Sequence, residues 1–297
     1  MFNSRSIPLI SIIMPTYNRG KVIMETIESI RQQTYTEWEL HIIDDGSDDD
    51  TAELIDAVAD TRIHFYKAAR VAVLGKLKNL GLYKAKGDLI AFMDSDDLWA
   101  PDKLSKQVDA FNKYPEAGFC LTGGYSFRNL SEPVDYYYKT REGERYGELL
   151  LPFFQSEIAA LMPSLVFRRH CLPVIGKFNE ERLFSDIAFM LKLAENYKGI
   201  ILYEPLLYRR LHGGNTTNDN WELGYTEYIG LVNEYAKNGA LPAKVQRSIL
   251  FKLYLNYGEK CVVKKKKHKA TVNYFKAWLN RPVSLIPLRK LVKSLVR

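Results

Sequence analysis

The chain of 297 residues is long enough to bury a full hydrophobic core, as one large domain or as one domain with an appendage. It is 46% hydrophobic and 26% charged, as is typical of a globular protein, and it lacks the run of about 18 apolar residues that indicates a transmembrane helix. The net charge of +7 favours an anionic partner: a nucleic acid, a membrane surface or a phosphorylated small molecule.

The first 115 residues alternate between strand and helix patterns. The predicted strands are Ser11–Met14, Trp38–Ile43, Ile63–Tyr66 and Leu89–Met93. The predicted helices are Val22–Gln33, Asp49–Val58, Lys76–Lys86 and Asp102–Tyr114. This alternation is typical of an α/β fold with a mostly parallel, Rossmann-like sheet that is covered by helices on both faces.

The pattern changes after residue 115. Strands are predicted at Ala117–Phe127, Ser164–Arg168 and Gly199–Arg209, the last interrupted by Pro205, and a helix at Ser185–Asn196. Residues 128–147 are polar and rich in tyrosine, which predicts a surface excursion. From Trp221 onward only helices are predicted. We therefore expect a catalytic domain at 1–220, with a nucleotide-binding half at 8–115 and an acceptor half at 116–220, followed by a basic helical appendage at 221–297.

The three cysteines predict neither a disulfide framework nor a zinc site. Cys120, Cys171 and Cys261 are odd in number and far apart in sequence. The apolar run near the N-terminus is too short for a signal peptide. Together these features indicate a protein of the reducing cytosol.

Three polar clusters each follow a predicted parallel strand. They are the segments PTYN, DDGS and DSDD. Their members are Pro15, Thr16, Tyr17 and Asn18; Asp44, Asp45, Gly46 and Ser47; and Asp94, Ser95, Asp96 and Asp97. Open α/β sheets bind ligands beyond the carboxyl ends of their strands, so these segments are expected to converge on one site.

The acidic segment has the chemistry of a site for a hard divalent cation. Its oxygen donors suit Mg²⁺ or Mn²⁺, and such an ion with few protein ligands completes its shell with substrate phosphates. Asp45 is placed to accept a hydrogen bond from a base or a ribose. Basic side chains that could face a diphosphate are Lys76, Lys78, Arg209, Arg210 and His212. Taken singly, an Asp-x-Asp or Asp-Gly pair is more often a turn or a helix cap, and Asn18 and Asp97 are equally plausible as caps.

These segments carry a resemblance. The stretch SIIMPTYNRGKVIMETIESIRQQTYTEWELHIIDDGSDDDT, followed by AKGDLIAFMDSDDLWAPDKL, resembles the family-two inverting glycosyltransferases, which have the GT-A fold. The match covers roughly residues 8–115 closely and 160–217 more loosely, and does not extend to the helical tail.

The resemblance implies roles for the donor-site residues. The PTYN segment lines the nucleotide base, Asp45 hydrogen-bonds that base, usually uracil, and Asp94 lies near the ribose. Asp96 binds the metal, and His212, in the segment YRRLHGGNTT, approaches the metal and the diphosphate. Lys78 stands where the family usually has an arginine, so a planar bidentate donor is replaced by a point charge.

The resemblance also implies a catalytic base, Asp186. The family usually has Glu-Asp at this place, near the start of a helix, whereas this chain has Ser185 before the aspartate and Ala188 two positions after it. Glu180 and Glu181 are rival candidates for the base.

These features predict the transfer of a sugar from a nucleotide-diphosphate donor to a hydroxyl of a glycan or lipid-linked acceptor. A UDP-sugar is the expected donor. The expected mechanism is a metal-assisted single displacement with inversion, in bacterial surface polysaccharide synthesis. Alternatives are a sugar nucleotidyltransferase and a non-catalytic nucleotide-sugar-binding protein. Nucleic acid is not expected as a partner, because the strongest motifs are acidic.

The C-terminal tail combines positive charge with an amphipathic pattern. Lys264–Lys267 form a charge run, and the last segment places Leu288, Leu291, Val292 and Leu295 on one helical face. A basic amphipathic helix can lie on anionic lipid, which predicts peripheral contact with the inner face of the cell membrane. The alternative is a helix that packs on the rest of the protein or on a second subunit.

Overall fold

The computed structural model describes residues 7–130, 132–182, 185–212 and 220–296, with side chains described as far as Val292. The ten strands in this part of the chain are β1 (Ile10–Thr16), β2 (Trp38–Asp44), β3 (Ile63–Lys67), β4 (Leu89–Phe92), β5 (Leu98–Trp99), β6 (Phe119–Asn129), β7 (Glu132–Tyr136), β8 (Glu144–Gly147), β9 (Val166–Arg168) and β10 (Gly199–Arg210).

The α-helices in the described ranges are α1 (Ile23–Arg31), α2 (Thr51–Asp56), α3 (Leu74–Lys84), α4 (Lys103–Lys113), α5 (Leu150–Phe154), α6 (Leu172–Ile175), α7 (Ser185–Asn196), α8 (Trp221–Lys237), α9 (Ala243–Val263), α10 (Lys267–Asn280) and α11 (Ile286–Val296). Two short 3₁₀ turns, Met162–Ser164 and Arg169–Cys171, flank β9.

One sheet organises the first part of the chain, in the order β3-β2-β1-β4-β9-β6-β10-β5, with β7 paired to β6 and β8 paired to β10. Strands β3, β2, β1 and β4 are parallel. Every residue of β1, β2 and β4 is buried, as expected for parallel strands with helices on both faces. The predicted α/β fold is confirmed.

The second half of the sheet is mixed rather than parallel. Strand β9 is antiparallel to β4 and β6, and β5 and β8 are antiparallel to β10, whereas β6 and β10 are parallel to each other. The strand–helix alternation that predicts parallel pairing ends with β6. Beyond it, β6 and β7 form an antiparallel hairpin, so part of the predicted polar excursion at 128–147 is strand. The break predicted at Pro205 is a shift in register inside β10.

The described residues form two compact units. The first contains residues 7–153 and 158–212, and the second contains the short segment Phe154–Glu157 and residues 220–296. In the second unit, helices α8 to α11 surround a small apolar cluster made of Tyr257, Cys261, Ala270 and Tyr274, with Trp221, Tyr225 and Leu291 packed on it. None of the helices in the described ranges is both long and apolar enough to cross a bilayer. The three cysteines are free and buried.

Candidate active site

The loops after β1 and β2 are fastened to each other by Asn18. Its amide N–H donates to Ser47 Oγ (2.9 Å), its Nδ2 donates to Asp48 Oδ1 (2.6 Å), and its Oδ1 accepts from the Asp48 amide (3.0 Å). Asn18 has φ of +50°, a left-handed conformation that asparagine tolerates better than most residues. Asn18 is therefore not the cap of α1, which begins only at Ile23 after Val22.

Asp45 holds the segment that follows β3. Its buried carboxylate accepts hydrogen bonds from the amides of Val71 (2.7 Å) and Ala72 (2.9 Å) and forms an ion pair with Arg70. The Arg70 guanidinium lies 3.7 Å from the centroid of the Tyr17 ring. The structure thus brings together Tyr17 and Asp45, two predicted donor-site residues, and adds Arg70, which no sequence pattern indicates.

The three carboxylates of the acidic loop after β4 have different surroundings, and Asp97 is the one that holds the loop in place. Asp97 is buried, accepts from the Arg210 amide (2.8 Å) and, through its carbonyl, from Thr26 Oγ1 (2.9 Å). Burial raises the pKa of Asp97 well above its usual range, and the charges of Asp94 and Asp96 act in the same direction. Asp97 therefore fixes the acidic loop to β10, through Arg210, and to α1, through Thr26.

Asp94 is exposed at this site, but the protein around its carboxylate displaces much of the surrounding water. That desolvation raises the pKa of Asp94 to about 6, with further increase from Asp96 and Asp186, while Lys78 and Arg209 oppose it. The carboxylates of Asp94 and Asp186 are thus close enough for their charges to interact.

Asp96 and His212, the two predicted metal ligands, lie beside each other. Asp96 Oδ2 is 2.8 Å from His212 Nε2 and accepts from Arg19 Nε at 3.2 Å. Within the described ranges, no group of three or more histidine, cysteine or acidic side chains could by itself enclose a metal ion. A carboxylate and an imidazole fit a Mn²⁺ or Mg²⁺ ion whose remaining ligands are water and substrate phosphate. Arg19 directly follows PTYN, and that adjacency was its only signal in the sequence.

Lys78 binds Asp186, the predicted base. Its Nζ donates to both carboxylate oxygens, at 2.6 and 2.7 Å, across 108 residues of sequence. Lys78 is buried, near the Phe92 and Phe178 rings, whereas a third of the Asp186 side chain is exposed. Lys78, a predicted donor contact, is thus paired in this structure with Asp186, the predicted base.

The neighbouring positions complete the site. Ser185 is buried, and its Oγ has no hydrogen-bond partner among the described residues. Glu180, the rival base, accepts a hydrogen bond from Asn79 Nδ2 (2.8 Å), so it is held by α3. Asp186 lies in the first turn of α7, where a helix favours negative charge.

The other predicted donor-site residues differ in exposure. Pro15, Thr16 and Ser95 are buried in β1 and the acidic loop, and Thr16 Oγ1 has no partner in the described part of the chain. Arg209 lies near Asp94 and Tyr137. Lys76 is exposed in the first turn of α3.

Comparison with known proteins identifies the family. The profile of glycosyl transferase family 2 matches residues 11–168, more than half of the chain, and the chain belongs to that family.

Several bacterial glycosyltransferases are similar to this chain. The chain is 29% identical over 220 residues to an uncharacterized glycosyltransferase of Rickettsia typhi, with 71% of this chain and 66% of the relative covered. It is 29% identical over 220 residues to the putative teichuronic acid biosynthesis glycosyltransferase TuaG of Bacillus subtilis, covering 72% and 84%. To WfaP of Escherichia coli, a UDP-Glc:α-D-GlcNAc-diphosphoundecaprenol β-1,3-glucosyltransferase, it is 38% identical over 128 residues, covering 40% and 51%. The chain thus spans between about half and four fifths of these relatives.

Solved structures share the fold. Residues 1–349 of Staphylococcus aureus TarS, in complex with UDP-GlcNAc, superpose with a TM-score of 0.67 at 19% identity, covering 92% of this chain and 81% of that one. The mannosyltransferase PcManGT of Pyrobaculum calidifontis, with GDP-Man and Mn²⁺, gives 0.59 at 18% identity, covering 98% and 80%. The structure is a GT-A fold with additional C-terminal helices.

Proposed function

We propose that this protein is an inverting glycosyltransferase that transfers a sugar from UDP to a hydroxyl of a glycan or lipid-linked acceptor in surface polysaccharide synthesis. The observation that carries the proposal is the convergence of two distant segments, because Asp186 of α7 is close enough to Asp94 of the acidic loop for their charges to interact, and Asp96 of the same loop lies beside His212. Support for the donor and the pathway comes from TarS, solved with UDP-GlcNAc, and from TuaG and WfaP, whose names specify surface polymers or a lipid-linked acceptor.

The donor's diphosphate would lie against Asp96, His212 and the nearby arginines. A bound Mn²⁺ or Mg²⁺ would neutralise charge on the departing nucleoside diphosphate. Asp96 and His212 would hold that ion, and Arg19, next to Asp96, adds a fixed positive charge at the same place. The Tyr17–Arg70–Asp45 group provides a planar surface for the base.

Asp186 is suited to accept the proton of the acceptor hydroxyl. In a single displacement the acceptor oxygen bonds to the anomeric carbon, the bond from that carbon to the diphosphate oxygen breaks, and the hydroxyl proton passes to a carboxylate oxygen. Each oxygen of Asp186 accepts one hydrogen bond from Lys78 and keeps a second lone pair for this proton. Attack from the face opposite the leaving group inverts the anomeric centre.

The test is a set of reactions with purified protein, a panel of nucleotide-sugars and a lipid-linked or soluble saccharide acceptor. Release of a nucleoside diphosphate that requires both acceptor and Mn²⁺, with an inverted product by NMR, is expected. Release of pyrophosphate from a nucleoside triphosphate and a sugar phosphate would instead identify a nucleotidyltransferase.

The base is tested by Asp186→Asn, with Glu181→Gln as the matched control on the preceding loop. D186N is expected to lower turnover roughly 10²-fold or more, since the amide cannot take the proton, while donor binding measured by thermal shift stays similar. E181Q should keep wild-type turnover. Wild-type turnover in D186N would move the base elsewhere.

We also propose that the protein works at the inner face of the cell membrane as a peripheral protein. A lipid-linked acceptor would require the active site to approach the bilayer, and three free, buried cysteines are compatible with a reducing compartment.

A further inference from the structure

Positive charge is concentrated at one end of the chain. Residues 261–297 contain eleven lysines and arginines and no aspartate or glutamate. The first 260 residues contain 31 lysines and arginines against 35 aspartates and glutamates, a net charge of −4. The excess that gives the whole chain +7 therefore comes entirely from the last 37 residues.

Helix α10 in this basic segment exposes an apolar stripe. Val272, Phe275 and Leu279 follow a spacing of three and four residues, so they lie on one side of the helix, and they are 38%, 49% and 54% exposed. The opposite side is buried in the helical cluster through Ala270 and Tyr274. The exposed side of α10 is thus an apolar face without a cover among the described residues.

The apolar face continues into the turn between α10 and α11. Val283, Leu285 and Ile286 are 86%, 58% and 50% exposed. The Phe275 ring stacks on Trp278 with 5.9 Å between centroids, which adds a second aromatic group with a polar N–H. We call these seven residues, Val272, Phe275, Trp278, Leu279, Val283, Leu285 and Ile286, the α10 surface.

Basic side chains lie along the α10 surface. Lys264, Lys265 and Lys267 are exposed at the N-terminal end of α10, Lys276 is exposed within it, and Arg281 follows its C-terminal end. By contrast, Lys266 and Lys269 are ion-paired with Glu222, and Lys290 with Glu259.

The apolar face of α11, the last helix, is only partly exposed, although its sequence pattern suggested a membrane-facing stripe. Leu291 of α11 packs on the cluster that contains Tyr257 and Tyr274, and Lys290 is tied to α9 through Glu259. Leu295 lies outside the described side chains. The membrane-facing stripe expected on α11 is therefore partly used to hold the helical unit together.

We propose that the α10 surface is a lipid-binding surface that lies in the headgroup region of an anionic bilayer. Its apolar side chains would enter the boundary with the acyl chains, while the lysines at the N-terminal end of α10 and Arg281 contact phosphate and other anionic headgroup oxygens. The charge pattern favours an anionic bilayer as the partner. The segment 261–297, which contains the α10 surface, has eleven basic and no acidic residues and therefore complements a negatively charged membrane.

The test is co-sedimentation of the full-length protein with phosphatidylcholine vesicles, with or without phosphatidylglycerol, and without nucleotide or acceptor. Binding is expected only to the anionic vesicles. V272S/F275S/L279S should weaken it at least about tenfold, because three apolar side chains no longer enter the boundary. Its control, V134S/V174S, removes exposed valines of the first unit and should bind as wild type.

The electrostatic part is tested by K264Q/K265Q/K267Q, which should weaken binding about tenfold or more and reduce its salt dependence. K237Q/K244Q/K252Q removes the same charge from exposed positions of α8 and α9 and should bind as wild type. In the wild type, Trp278 fluorescence should shift to the blue with anionic vesicles, and W278F should lack that shift.

Equal binding to neutral and anionic vesicles, or undiminished binding of the α10 stripe variant, would overturn the proposal. A stripe variant that converts a dimer to a monomer in light scattering, without any change in vesicle binding, would assign the face to a second copy of the chain. Because no sugar donor is present, these results are independent of the proposed enzymatic function.

Discussion

The Nζ atom of Lys78 donates hydrogen bonds to both carboxylate oxygens of Asp186, at 2.6 and 2.7 Å. Lys78 comes from the middle of α3 and Asp186 from the first turn of α7, so the contact joins two helices whose paired residues are 108 positions apart in sequence. Asn79 strengthens this junction, since its side chain bonds both the N–H and the C=O of Phe178, ahead of α7. The candidate base is therefore positioned by α3 as much as by its own helix.

Replacing Lys78 by methionine tests this positioning. The variant keeps the length of the side chain but removes the ammonium that donates to both carboxylate oxygens of Asp186, so the carboxylate is no longer held in place. We expect kcat to fall about tenfold while KM for the donor changes less, because a displaced base lowers the rate of the chemical step. Steady-state rates at varied donor concentration are the readout, and Lys78→Arg, which keeps a cationic donor, should recover most of the lost kcat. Lys86→Met, an exposed change just beyond α3, is the control.

Substitution of Asp96 by asparagine should abolish metal-dependent turnover. The carboxylate next to His212 would contribute one of few protein ligands, so its loss is expected to lower activity roughly 10²-fold or more at any Mn²⁺ concentration tested. Titrating Mn²⁺ into the reaction and into the protein alone gives two readouts. Asp102→Asn, which affects an acid paired with Lys106 on the same segment, should behave as wild type. Normal Mn²⁺ activation of D96N would exclude Asp96 as a ligand.

Asp45→Asn is expected to weaken donor binding. The carboxylate accepts hydrogen bonds from two backbone amides and pairs with Arg70. The side-chain NH₂ of asparagine would instead point its own donors at these donors. The segment at 70–72 and the Arg70–Tyr17 stack should loosen, which raises KM for the donor about tenfold while kcat changes less. Asp56→Asn, on the exposed side of α2, is the matched control, and equal KM values for both variants would contradict the prediction.

Lys103 is expected to make the free energy of unfolding depend on pH. It is fully buried, with Nζ 4.0 Å from the centroid of the Trp99 ring and donating to Gln107 Oε1 at 2.8 Å. Burial lowers the pKa of Lys103 to about 7, below the value near 10.4 of an unfolded lysine. Between these values the unfolded chain binds the extra proton, so stability rises with pH by up to about 1.4 kcal/mol per pH unit from this group.

Lys103→Met should remove that slope. Free energies of unfolding from urea titrations at pH 7.0 to 8.5 are the measurement, and the difference between wild type and variant isolates the lysine. Above this window the neighbouring Cys120 thiol, whose pKa burial raises to about 12, begins to oppose the trend. A parallel pH dependence in the two proteins would show that Lys103 does not titrate in this range.

Local sequence patterns predicted the part of the fold that carries the three polar segments. The apolar runs of β1, β2 and β4 identify buried parallel strands, and the polar residues directly after them must meet at one edge. For this reason the sequence pattern alone assigns Asp96 and Tyr17 to that edge. The direction of β9 and the edge strand β7 were not predicted, since short or polar strands carry little periodicity.

Contacts made by long side chains could not be predicted in the same way. The pairing of Lys78 with Asp186 and that of Arg70 with Asp45 depend on the tertiary placement of loops, and no spacing in the sequence encodes them. Similarly, the amphipathic pattern of α11 could not reveal that Leu291 packs inward, because the pattern specifies an apolar face and leaves its partner open.

The hydrogen bonds of Asn18 also predict how the loops after β1 and β2 separate from each other. Asn18 is joined to the loop after β2 by one hydrogen bond to Ser47 Oγ and two with Asp48, so neither loop can leave without breaking all three. The amide hydrogens of the two residues are then protected by a single opening event and should exchange with solvent deuterium at matching free energies. In Asn18→Ala the Asp48 amide loses its acceptor, whereas the amide of residue 18 can still donate to Ser47 Oγ, so faster exchange at both amides would show that the two loops open as one cooperative unit.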